Sequence, residues 1–189
     1  MIESKDQLTL EEFLALPDED VACELIQGQA VFKRKMAPKF FYSAMQKALL
    51  VLLEQWCQQL GRVDPEWGVI LQRQAKDWVP TPELTYISYE RLSPDWMLDE
   101  ACPVPPELVI EIISPGQIFQ ELASKAANYL EAGVLRVWVV DTQARSIAVF
   151  SPNAPPQIYT AAIPITDSVF LELQLTPEQV FRKAGLSTS

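Results

Sequence analysis

The sequence predicts an α/β fold of the mixed α+β kind, a mixed β-sheet flanked by helices. Three observations predict it. Segments of helical period alternate with short β-prone runs along the whole chain. The run "ELVIEII" at 107–113 is almost continuously aliphatic, as a buried strand would be. An amphipathic helix and then a further pair of strands follow it directly. At 189 residues the chain has the length of one domain, 1–189, able to bury a core without disulfides or metal staples.

The elements follow in order. Thr9 and Glu12 form a capping box ahead of Leu10, Phe13 and Leu14, and Pro17 stops that short helix. "CELIQGQAVFK" reads as a strand pair turning at Gln27-Gly28. Ser43 and Gln46 make a second capping box. Beyond it Met45, Leu49, Leu52, Leu53, Trp56 and Leu60 recur at helical spacing, with Gly61 at the C′ position. "WGVILQRQ" and "ELTYIS" are short β-prone runs separated by a turn-like "AKDWVPTP", and "SPDWMLDEACPVPP" is a proline-rich connection. After the 107–113 strand, Ser114-Pro115-Gly116 breaks the chain. Ile118, Leu122, Ala126, Tyr129 and Leu130 then mark a helix ending near Gly133. "LRVWVVDTQARSIAVFS" is two strands around a turn at Asp141 to Ala144. The last helix starts with Thr176 as N-cap, Pro177 at N1 and Gln179 at N3.

Composition narrows the chemistry. The hydrophobic fraction of 49% with 21% charged residues suits a chain that folds in water, and no apolar run approaches the ~20 residues of a membrane span. "MIESKDQLTLEEF" lacks the basic and then apolar pattern of a secretory signal, so a cytoplasmic location is expected. Cys23, Cys57 and Cys102 form no metal or disulfide pattern. With no histidine present, Ser-His-Asp and Cys-His catalysis are excluded, as is any histidine-ligated metal. Fifteen Lys and Arg against 25 Asp and Glu give a net charge of −10, so the average surface repels phosphate. Local exceptions are Lys33, Arg34, Lys35 and Lys39, and the smaller pair Arg73 and Lys76.

Glu111 is the residue that needs explaining, because it puts a charge inside the aliphatic strand. Alternation places it on one face with Glu107, Val109 and Ile113, and places Leu108, Ile110 and Ile112 on the other. An ionised carboxylate in an apolar interior costs several kcal/mol unless paired, hydrogen-bonded or hydrated. It therefore faces a site, or it reaches solvent at an edge, or it belongs to a structural ion pair. Glu83 stands near the start of another β-prone run, where a solvated acid would also do. Lys125 lies on the helix beyond Glu111, four residues from Glu121, in a spacing that also suits an ordinary surface pair. Taken together, two carboxylates at neighbouring strand ends and a nearby lysine form a phosphodiesterase inventory. They offer hard oxygen ligands for Mg²⁺ or Mn²⁺ and a cation to position water and steady the transition state.

"CELIQGQAVFK", "PELTYIS", "PPELVIEIISPGQ", "KAANYLEAGVLRVWVVDTQARSIAVF" and "LTPEQVF" resemble, in order and over most of the chain, the Uma-two family of restriction-endonuclease-like proteins abundant in cyanobacteria. That family is placed in the PD-(D/E)xK nuclease superfamily. The resemblance implies a restriction-endonuclease-like core of four mixed strands flanked by helices and a metal-dependent site for phosphodiester hydrolysis, with DNA as partner. By position, Glu83 matches the metal-binding aspartate of the family's "PD" and Glu111 its strand acid, so these two would hold Mg²⁺ (or Mn²⁺). Ile113 stands where the superfamily's lysine would fall, and Lys125 matches the family's lysine on the next helix, orienting the attacking water. Glu24 would support as an outer ligand, and Glu121 would keep Lys125 in place.

Two positions depart from the family pattern. Glutamate at 83 is one methylene longer than aspartate, which moves a ligand by about 1 Å. Tyr42 stands where many relatives have a histidine, and a phenol is no base near pH 7. A second reading of the same residues is therefore a catalytically degenerate binding or regulatory protein that keeps the nuclease fold, to which an unidentified protein partner could bring the basic surface. A third, a structural homo-oligomer, draws on five tryptophans and the apolar "VLRVWVV". A homodimer would also suit a nuclease acting on two-fold symmetric duplex DNA.

Overall fold

The computed structural model describes residues 7–17, 23–32, 40–114 and 116–186. The basic cluster Lys33, Arg34, Lys35 and Lys39 lies outside the described residues, as does Pro115. In chain order the elements are α1 (Leu10–Leu14), β1 (Cys23–Ile26), β2 (Gln29–Phe32), α2 (Phe40–Cys57), β3 (Gly61–Pro65), β4 (Leu71–Arg73) and β5 (Lys76–Trp78). They continue as β6 (Leu84–Ser88), β7 (Leu108–Ile112), α3 (Phe119–Glu131), β8 (Arg136–Asp141), β9 (Ser146–Phe150), β10 (Gln157–Thr160) and α4 (Pro177–Lys183).

A six-stranded sheet in the order β10-β9-β8-β7-β6-β3 is the frame. All its pairs are antiparallel except β7 with β8, which α3 connects as a crossover. The fold is thus the mixed sheet flanked by helices that the sequence predicts, with two more strands than a four-stranded core. Alternation in β7 holds: Leu108, Ile110 and Ile112 join the core cluster of α2 and α4, with Leu49, Leu53, Trp138 and Phe181. Val109 faces the α3 side, with Leu122, Ala126, Tyr129 and Val139. Because both faces are covered, β7 and β8 need apolar side chains on both sides, which gives them their nearly unbroken aliphatic sequences.

The turn chemistry of the β1–β2 hairpin is as expected: Gln27 and Gly28 both have positive φ, 53° and 83°, which joins the strands in two residues. This hairpin is a sheet of its own. Reciprocal backbone bonds between Leu25 and Val79, of 3.2 and 3.1 Å, attach it beside β5, and Phe13 of α1 packs on that contact. The capping boxes of Thr9 with Glu12 and of Thr176 with Gln179 are both formed.

Four local expectations are corrected. Ser43 is not a helix cap, because α2 already runs through Phe40, and Gln46 turns its amide to Glu83 instead. Gly61 is not a C′ glycine. It opens β3, where an added Cβ would fall on the Ile87 carbonyl oxygen and within 2.7 Å of the Tyr86 ring, so its role is close approach between strands. "AKDWVPTP" is not all turn, since Lys76–Trp78 pairs with Leu71–Arg73 around Gln74 and Ala75, both at positive φ without a glycine. β3 and β10 are strands that no periodic pattern in their own segments announces. Among the described residues no helix is long and apolar enough to cross a membrane.

Candidate active site

Three separate parts of the chain bring carboxylates to one end of the sheet. Glu111 is the fourth residue of β7. Glu83 immediately precedes β6, and one register step beyond the Leu84–Ile110 pair sets it beside Glu111. The Glu83 amide donates to the Ile110 carbonyl at 3.1 Å, which fixes that strand end. Glu24 comes from β1, where it is buried and accepts from the Thr81 amide at 3.2 Å.

Lys125, on α3, joins two of them. Its Nζ lies 3.0 Å from Glu24 Oε1 and 2.9 Å from Glu111 Oε1. Tyr129 follows four residues later, so it stands one helical step along the same face. Its buried hydroxyl donates to Glu111 Oε1 at 2.8 Å, and its ring packs on Trp78 at 4.8 Å between centroids. From α2, Gln46 donates to the Glu83 carbonyl at 3.2 Å and to Oε2 at 3.4 Å, while the Tyr42 hydroxyl donates to the Glu83 carboxylate.

These contacts set proton affinities. Burial alone would pull the Lys125 ammonium down, but Glu111 and Glu24 outweigh it and hold the group above its ordinary value. Both acids thus favour the ammonium form of Lys125. Burial, and then the charges of Glu111 and Glu24, push the Tyr129 phenol well above its usual range. Tyr42 is raised likewise, by burial and then by Glu83. Both phenols stay protonated donors at neutral pH.

The geometry brings together Glu24, Glu83, Glu111, Lys125 and Tyr42. It removes Glu121 from the group: this side chain turns back to accept from the Ile118 amide at 3.4 Å and caps α3, because a free helix N-terminus competes for it. Glu107 separates from Glu111 too. At the other end of β7 it is taken up by Ser88, at 2.6 Å to Oγ and 3.0 Å to the amide, and by Arg91 at 3.1 Å, a structural answer to a buried acid. Tyr129, Gln46 and Thr81 were missed in the sequence. Only Tyr129 carried a signal, its spacing from Lys125.

The donor set suits a hard divalent cation in kind. Lys125 answers two of the three carboxyl groups, Glu24 and Glu111, and the contacts of the Glu111 carboxylate with Lys125 and Tyr129 both fall on Oε1. No group of three or more acidic or cysteine side chains among those residues converges into a ready-made ion cage. Glu83 and Glu111 would share an ion with water or substrate oxygens, as Mg²⁺ commonly does.

A family model described as "Uma2: Putative restriction endonuclease" matches residues 10–180. The chain belongs to the Uma2 family. A crystal structure described as that of a putative nuclease belonging to DUF820, from Anabaena variabilis, matches with a TM-score of 0.79 at 22% identity, over 94% of this chain and 99% of that one. The likeness shows a shared fold. No curated protein matches significantly. Within this Uma2 chain the acidic end of the sheet, where β6, β7, α2, α3 and the β1 hairpin meet, is the candidate active site.

Proposed function

We propose that this Uma2 protein is an endonuclease that hydrolyses DNA phosphodiester bonds with Mg²⁺ or Mn²⁺. The observation that carries the reading is the convergence of Glu83, Glu111 and Glu24 at one strand end, with Lys125 bridging Glu111 and Glu24, an expensive arrangement for a fold that needs only a core. A divalent ion held by Glu83 and Glu111 would supply Lewis-acid polarisation of a phosphate oxygen and an acidified water.

The chain's own side chains do the rest. Lys125, held protonated, ties Glu24 to Glu111 and offers its remaining N–H to a phosphate oxygen as charge builds there. Tyr129 and Lys125 fix the Glu111 carboxylate from two sides. Gln46 and Tyr42 fix Glu83, which restrains the longer arm of a glutamate at this position. With Lys125 and both tyrosines protonated, the proton released as water attacks phosphorus passes to a carboxylate or to solvent, and the leaving oxygen is protonated in turn.

The test is calorimetric titration of Mn²⁺ and Mg²⁺ into wild type and Glu111→Ala, with a plasmid-nicking assay on the same samples. Loss of both binding and nicking in the variant is expected. Wild type that binds neither ion, or a variant that still nicks, would reject the hydrolase and favour the binding or regulatory role.

A further inference from the structure

The β4–β5 hairpin carries two cations that the core does not use. Its faces are set by the neighbouring strand. Leu25 and Val79 exchange both backbone bonds, so they stand opposite each other and point to one side, where Phe13 packs on them. Alternation turns Glu24 and Trp78 to the other side, where they meet Lys125 and Tyr129 of α3. Leu71 is the register partner of Trp78, and Arg73 pairs with Lys76 two residues further out. Arg73 and Lys76 therefore share the face of Glu24, at the tip of the hairpin.

Nothing in the fold explains this placement. Like charges directly opposite each other in an antiparallel pair repel. The hairpin's own acid does not relieve them, because Asp77 lies on the opposite face, where its Oδ1 accepts from Gln72 at 2.6 Å. Neither cation forms an ion pair among the described residues, and Arg73 Nε is buried with no hydrogen-bond partner there. The turn is strained as well, since Gln74 and Ala75 take positive φ of 52° and 60° without a glycine. This two-residue turn keeps both cations on one face; a one-residue slip of either strand would turn one of them away. In a chain where acids outnumber bases 25 to 15, the pair is a local reversal of sign. An arginine fork beside a lysine suits a phosphate oxyanion, bidentate from the first and a point charge from the second. Lys76 lies four residues from Pro80, which stands level with Glu24, so the tip is about 14 Å along the strand from the acidic end. On the nuclease reading one ligand must reach both places, which a lone phosphate cannot do. Duplex DNA carries phosphates along its length, and 14 Å is about four of its base-pair steps. We propose that Arg73 and Lys76 form a phosphate clamp that holds duplex DNA about four base-pair steps from the candidate active site. The inference rests on the nuclease reading for its choice of ligand, but its test does not require cleavage.

The experiment is fluorescence anisotropy of a short labelled DNA duplex in EDTA, so that no metal-dependent step enters. Salt is held at about 0.1 M, where charges beyond ~10 Å are screened. The double variant R73Q/K76Q weakens binding by about tenfold or more and flattens the log–log salt slope by about 1. R182Q/K183Q removes the same charge from the last turn of α4, which packs on the other face of the sheet, and leaves affinity within about twofold of wild type. Lys76→Glu separates function from stability. It sets opposite charges across the pair, so it should melt at or above the wild-type temperature while binding duplex about tenfold more weakly or worse.

Wild type that binds no duplex, R73Q/K76Q that binds like wild type, or an equal loss in R182Q/K183Q overturns the proposal. So does a Lys76→Glu protein that melts below wild type, because the cation then serves the fold. Binding of inorganic phosphate or phosphatidylserine vesicles through the pair, with no affinity for duplex, overturns it too. The two readings fail separately. Duplex binding lost in R73Q/K76Q but with no metal-dependent nicking by wild type supports the clamp while rejecting the hydrolase. Metal-dependent nicking whose half-saturating DNA concentration is the same in R73Q/K76Q keeps the hydrolase and rejects the clamp.

Discussion

Glu107 and Glu111, four residues apart on one strand face, show what a buried acid requires. The first is answered by a serine and an arginine, the second by a lysine that is itself shared with Glu24. Removing that lysine leaves two buried carboxylates beside each other, so Lys125→Met should lower stability by about 3 kcal/mol in urea unfolding. Adding Glu24→Gln should then restore part of the loss, because one uncompensated charge goes with it; simple additivity of the two changes would contradict the pairing. Tyr129 makes a prediction at alkaline pH. Its phenol and that of Tyr42 are raised in the folded state, as is the Lys125 ammonium. A raised group stabilises fully below its unfolded value and loses that contribution as pH climbs towards its folded one. Stability should therefore be level in these groups up to about pH 10 and then fall by about 1.4 kcal/mol per pH unit for each. Tyr129→Phe should shed one such share of the slope, together with about 1 kcal/mol at neutral pH for the lost bond to Glu111. An unchanged alkaline limb would refute the assignment.

Secondary-structure elements were legible where the period and the caps agreed. α1, α3, α4, the β1–β2 hairpin and the strands β6 to β9 follow from patterns within their own segments. β3 was not, because "GRVDP" ends in a charge and a proline and its pairing with β6 joins residues as far apart as Gly61 and Ser88, so only the tertiary pairing makes it a strand. β4 and β5 turn on Gln74-Ala75, which lack the glycine or asparagine that normally announces positive φ. β10 is an exposed edge strand after two prolines, with no buried face to leave an apolar alternation. Gly61 was visible but misassigned, since a glycine after a helix and a glycine under a neighbouring strand look alike in sequence. Gly61→Ala distinguishes them. It should cost about 2 kcal/mol or more by collision with β6, whereas a C′ glycine would lose about half that, and thermal denaturation reads the difference. For the site, Glu83, Glu111 and Lys125 were legible as two acids on β-prone runs and a lysine on the next helix, and family resemblance added Glu24. The supporting contacts of Tyr129, Gln46 and Thr81 depend on helix–sheet packing, which residue spacing does not encode.

At the scale of the whole molecule, the site draws on positions 24, 83, 111 and 125, which no contiguous segment contains. Glu83, Glu111 and Lys125 come from the large sheet and its crossover helix, but Glu24 comes from the hairpin held by the Leu25–Val79 bonds and the small Phe13 cluster. Among the described residues this attachment is the Leu25–Val79 pair, the Leu8–Gly28 bond, the contacts of Glu24 to Thr81 and Lys125 and a few apolar contacts, and it opens more readily than a six-stranded ladder. In native-state hydrogen exchange the Leu25 and Val79 amides should exchange well before those of Val109 and Val139; equal protection would show that hairpin and sheet open together. Local opening would carry Glu24 away from Lys125 and loosen the grip on Glu111 without disturbing the core. The proposed centre should then come apart before the sheet, so mild denaturant should abolish the proposed nicking while the spectroscopic signature is still native.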